Sequence, residues 1–106
     1  MALDAGVLAL VTAEKNRMYV VAIHAIDDPK AFWEGAQALE IPEGTILHSA
    51  IPNDDGTRAV CLWESGSVAT VEAIVEGAAG NVSTNEYFDV NEQNATGLPA
   101  VSAAAS

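Results

Sequence analysis

The run Pro52-Asn53-Asp54-Asp55-Gly56 constrains this chain more than any other feature. Pro, Asn, Asp and Gly each favour chain reversal, and Asp55-Gly56 supplies the positive-φ residue that a tight hairpin needs. On either side stand two β-rich stretches, residues 45–51 (TILHSAI) and 58–64 (RAVCLWE). The turn predicts that they pair antiparallel. Pairing symmetric about the turn sets His48 opposite Cys61 and Ile46 opposite Trp63. A lone hairpin is marginal in water, so this one needs further strands or helices to pack upon.

Both flanks supply them. Residues 19–26 (YVVAIHAI) are apolar on both faces, as expected of a central strand covered on two sides. Asp27-Asp28-Pro29 then marks a helix start, with Asp28 as cap and Pro29 at the first helical position. The helix 29–39 carries Phe32, Ala36 and Leu39 on one face with Trp33 beside them, and Pro42 and Gly44 stop it. Beyond the hairpin, Ser65-Gly66-Ser67 offers a serine cap. The helix 68–78 follows, with Val68, Val71, Ile74 and Val75 at helical spacing and Glu72 and Glu76 toward solvent. Residues 83–90 (STNEYFDV) read as the last strand. This β-α-β-β-α-β order predicts an α+β, ferredoxin-like fold. Its four-stranded antiparallel sheet is ordered 4-1-3-2, with both helices on one face.

The chain of 106 residues fits one domain, placed at 18–90, with an N-terminal extension 1–17 and a mobile tail 91–106 rich in Asn, Gln, Ala and Ser. The extension is either a helix with Leu3, Val7, Leu10 and Val11 on one face or a loosely held leader. Asp4 stands where a signal peptide wants Lys or Arg, so export is not expected. No run reaches the ~18 apolar residues of a membrane span. Fifteen acidic residues against four basic ones give a charge of −11, which repels phosphate backbones and anionic bilayers. Neither nucleic acid nor membrane is an expected partner. Cys61 is the single cysteine, inside an apolar run. It reads as a buried thiol in a reducing cytoplasm. Strand one is apolar on both sides, and strand three alternates Ala59, Cys61 and Trp63 with Val60 and Leu62. A sheet apolar on both faces needs a second cover, so a homodimer through the sheet face is expected.

His24 and His48 are the only histidines, each in an expected strand. Imidazole is the usual neutral-pH base and transition-metal ligand, so both are candidates for a ligand pocket and for a divalent metal. The default for each is a hydrogen-bonded histidine at a strand edge or dimer seam. Cys61, Glu64, Glu86 and Asp89 are the remaining donors, at no diagnostic spacing. Tyr19, Trp33, Trp63 and Tyr87 are candidate pocket aromatics or ordinary core. Arg58 pairs either an anionic ligand or the neighbouring Asp54 and Asp55. There is no G-x-S-x-G elbow, phosphate-cradling glycine loop or C-x-x-C.

The segments MYVVAIHAI, PNDDGTRAVCLWES and NEYFDV, within residues 18–90, resemble the dimeric α/β-barrel superfamily. The likeness is greatest to small uncharacterised bacterial domains whose third strand reads R-x-x-C-L-[FW]-E before a Ser-initiated helix. The superfamily holds quinone-forming monooxygenases, muconolactone isomerases, haem-degrading and haem-binding enzymes and small metal-binding proteins, so the likeness leaves the chemistry open. Leu62-Trp63-Glu64-Ser65 is similar to the monooxygenase strand ending Y-E-x-W-x-S. That branch usually carries a histidine on its second helix, and residues 68–78 contain none. Three expectations follow. The first is a domain binding a small ligand or divalent metal through His24 and His48. The second is a cofactor-free monooxygenase or isomerase acting on a small hydrophobic ring, with one histidine as general base. The third is a structural or partner-binding module.

Overall fold

Local chemistry punctuates the chain into six elements within residues 17–99, the part described by the computed structural model. They are β1 Met18–Ile26, α1 Pro29–Gln37, β2 Ile46–Pro52, β3 Arg58–Ser65, α2 Val68–Ala79 and β4 Ser83–Asp89. Asp28 caps α1 by accepting from the Ala31 N–H, with Pro29 at its first position. Ser67 caps α2 through the Thr70 N–H. Gly56 takes φ 74 in the hairpin turn, where Trp33 Nε1 donates to its carbonyl at 3.1 Å. The strands form one antiparallel sheet in the order β2-β3-β1-β4. This is the ferredoxin-like βαββαβ architecture. Leu3, Val7, Leu10 and Val11, and the tail from residue 100, lie outside the described residues.

The sheet has two unlike faces because successive side chains alternate. Val20 and Ala22 of β1 join Cys61 and Trp63 of β3 under Val71 and Val75 of α2. Ile26 and Ala59 meet Phe32 of α1 and Ala79 of α2. Both helices therefore cover one face. On the other, Ile51, Val60 and Ile23 form one row across the strands, and Leu62, Val21 and Phe88 form the next. Ile51, Val60 and Phe88 stay 63%, 43% and 47% exposed. No helix among the described residues is long and apolar enough to cross a membrane.

The hairpin register differs from symmetric pairing about the turn. Ala50 stands opposite Cys61, Ile51 opposite Val60 and Leu47 opposite Trp63. The turn closes between Asn53 and Arg58, with Asn53 N–H donating to the Arg58 carbonyl at 2.9 Å, which moves the register toward the loop. A β-bulge between Leu47 and Ser49 then inserts one residue, His48, without a partner. One extra residue reverses the alternation. Leu47 and Ala50 both face the helices, and His48 faces the open side.

Past β4, the Val90 N–H donates to the Tyr19 carbonyl at 2.9 Å. The Pro99 carbonyl accepts from Tyr19 Oη at 3.0 Å. The chain returns over the β1 end of the open face and buries Tyr19 there.

Candidate functional site

Strand alternation and the bulge separate the two histidines. His24 lies on β1 in phase with Val20 and Ala22, so it faces the helices, where it is 1% exposed. Its ring tilts against Phe32 at 5.2 Å. It lines a cavity of about 50 Å³ between sheet and helices, together with Phe32, Trp33, Cys61, Trp63 and Val75. The walls are almost wholly apolar. Trp33 stands edge-on to Phe32 at 4.8 Å and spends its N–H on Gly56. Trp63 is 2% exposed, and its Nε1 has no hydrogen-bond partner among the described residues. An unpaired buried donor is rare and points to a missing partner.

Behind His24 runs a hydrogen-bonded chain. Its Nδ1 lies 2.6 Å from Asn85 Oδ1 on β4, its neighbour in register. Asn85 Nδ2 donates to Glu76 Oε2 on α2 at 2.9 Å, and Tyr87 Oη donates to the same oxygen at 2.6 Å. These hydrogen bonds from Tyr87 and Asn85 hold the Glu76 carboxyl below its ordinary range. Burial holds His24 below the ordinary imidazole range, against the Asn85 hydrogen bond and the Glu76 charge, which both favour the cation. Burial also pushes the Cys61 thiol up to about 11. At neutral pH Cys61 is a thiol in the cavity wall, not a nucleophile.

The open face carries a separate cluster. Glu64 is 4% exposed and accepts from Arg17 Nε at 2.7 Å, with His48 Nε2 at 2.8 Å from its other oxygen. The His48 ring lies 5.7 Å from that of Tyr19. Burial alone would raise the Glu64 carboxyl, but the His48 and Arg17 hydrogen bonds and charges outweigh it and hold it low. Arg17 Nη2 is buried and has no partner among the described residues.

Of the six pocket residues expected from sequence, His24, Trp33 and Trp63 are brought together at the cavity. Tyr87 stands behind it on Glu76. Tyr19 and His48 are together on the opposite face. His24 and His48 therefore do not share a site. No group of three or more His, Cys, Asp or Glu side chains placed to hold a metal ion occurs among the described residues. The salt bridges there are those of Glu64, so Arg58 pairs neither Asp54 nor Asp55. Asp55 instead accepts from Thr57.

Sequence reasoning missed Asn85 and Glu76. Glu76 lies on the polar side of its helix by periodicity, yet its carboxylate turns back onto β4. Only the β1–β4 register brings Asn85 beside His24, and periodicity carries no register signal. Arg17 was missed because it precedes the strand. Comparison with family models, with characterised proteins and with solved structures finds no match for this chain.

Proposed function

We propose that this chain is half of a face-to-face homodimer of the dimeric α/β-barrel kind. Its ligand is a small, largely apolar molecule held between sheet and helices, with His24 as the polar contact. The observation that carries the ligand reading is a buried imidazole in an otherwise apolar cavity that is also lined by Trp63, whose N–H has no partner among the described residues. Pockets of small-molecule sites combine apolar walls with a few placed polar groups in this way. The cavity, about 50 Å³, is well below the ~150 Å³ that admits benzene in an engineered core. Even a five-membered ring therefore requires Phe32, Trp33 or Leu39 to give way on the α1 side.

The apolar rows Ile51–Val60–Ile23 and Leu62–Val21–Phe88 support the dimer, since a second copy of the same face would cover them. A charge of −11 supports the expectation that nucleic acid is not a partner. The buried free thiol of Cys61 fits a reducing cytoplasm. A divalent transition metal has thinner support, because the two histidines stand on opposite faces. Calorimetric titration with nickel, zinc and copper tests it, and a saturable heat lost in both His24→Ala and His48→Ala would restore it.

Both tryptophans of the chain line the cavity, so their fluorescence reports its occupancy. Titration with pyrrole and with furan, two of the smallest aromatic rings, is expected to give a saturable change. Ala50→Phe, which adds a ring to the cavity wall, should suppress it. The absence of saturation with either ring in the unmodified protein would overturn the ligand reading. Sedimentation is expected to show a dimer that Val60→Glu converts to a folded monomer.

A further inference from the structure

We infer that His24 Nε2 is the proton acceptor of the cavity, aimed and fixed in that role by Asn85 and Glu76, so that the ligand presents an X–H donor. The inference rests on the ligand reading above and specifies its chemistry. Glu76 is an ionised carboxylate, which can only accept hydrogen bonds. Asn85 must therefore turn its NH₂ toward Glu76, at 2.9 Å, and its Oδ1 toward His24. Asn85 Oδ1 in turn can only accept, so the hydrogen between it and His24, 2.6 Å apart, belongs to Nδ1. A neutral imidazole carries one N–H. With that hydrogen on Nδ1, Nε2 holds a lone pair, and it makes no hydrogen bond within the described residues.

A base oriented by a second group, itself oriented by a third, is the arrangement by which proteins hold an imidazole ready for proton transfer. Here Asn85 and Glu76 are positioning residues, and only His24 reaches the cavity. Transfer is balanced without a co-reactant. The ligand X–H bond breaks, Nε2–H forms, and a neutral pair becomes an imidazolium beside the ligand anion. The new cation then donates through both nitrogens, to Asn85 Oδ1 and to the anion. Glu76, beyond Asn85, offsets its charge. The Trp63 Nε1–H has no partner among the described residues and is the available donor for an acceptor atom on the same ligand. The ligand class is thus a small neutral molecule with a weakly acidic O–H or N–H on an unsaturated, apolar frame.

Pyrrole and furan separate this claim from the broader one, because they share a shape and only pyrrole carries a donor. Pyrrole is expected to bind about tenfold more tightly than furan, as one net hydrogen bond converts to that ratio. Nitrogen NMR of the ligand-free protein should show the His24 hydrogen on Nδ1. Glu76→Gln frees the Asn85 amide to flip, so it should give a mixture of tautomers and reduce the preference for pyrrole. Glu76→Asp, which keeps the carboxylate, should restore both in part. A merely structural Glu76 would change stability without moving the tautomer. The hydrogen found on Nε2, or equal affinity for the two rings, overturns the inference and leaves the cavity reading standing. Silence from both rings overturns the cavity reading, and the nitrogen spectrum alone then decides the state of His24.

Discussion

The imidazole of His24 gives up its hydration on folding and recovers one hydrogen bond, to Asn85. Because burial lowers its folded pKa, the unfolded chain binds a proton more readily than the native one. The stabilising effect of keeping His24 neutral is complete above the unfolded value of about 6.5 and is lost as pH falls below it toward the folded pKa. Urea midpoints should therefore drop between about pH 7 and about pH 5, and the drop should flatten in His24→Phe. Glu64 and Glu76 do not confuse that window. Their lowered carboxyls release stability only below the ordinary glutamate value of about 4.3. Glu64 supplies a second test at this scale. Its buried carboxylate loses one of two partners in His48→Ala, which should lower stability by about 1.5–3 kcal/mol, measured by urea unfolding.

Helix starts and the hairpin were legible element by element because their signals are local. Asp28 before Pro29 and Ser67 before Val68 cap as their chemistry dictates. Asp28→Ala should lower stability by about 1 kcal/mol, again by urea unfolding. Gly56 holds φ 74, and a Cβ there would stand 3.0 Å from Trp33 Nε1. Gly56→Ala should therefore lower stability by roughly 1–2 kcal/mol from the left-handed backbone alone. It should also shift the fluorescence of Trp33, whose N–H bonds the Gly56 carbonyl. Strand order was legible from the element order, but the residue register across the sheet was not. No periodicity distinguishes a regular β2 from one with an extra residue at His48, so the sequence could not show which face that histidine takes. The candidate site shares this limit. Its aromatic walls and His24 were visible as residue types, but Asn85 and Glu76 joined them only through register.

At the scale of the whole molecule, one sheet face is closed by two helices and the other is left with exposed Ile51, Val60 and Phe88. Two copies meeting there would each carry a charge of −11, so their repulsion opposes the apolar attraction. Raising ionic strength from about 0.01 M to about 0.15 M shortens the screening length from ~30 to ~8 Å. The dimer should tighten across that range, as read by sedimentation. A dimer that weakens with salt would mean that ion pairs, not the apolar rows, hold it. The bulge on β2 carries a consequence for how such a chain could diversify. Exchange of amino acids cannot carry His48 across the sheet, but loss of a single codon can. With Leu47 deleted and the turn side of the hairpin unchanged, His48 would stand opposite Trp63, in the place from which Leu47 lines the cavity. Two imidazoles would then share one chamber with the Cys61 thiol. Length variants, more than point variants, are therefore where relatives of this chain with a different chemistry are to be sought.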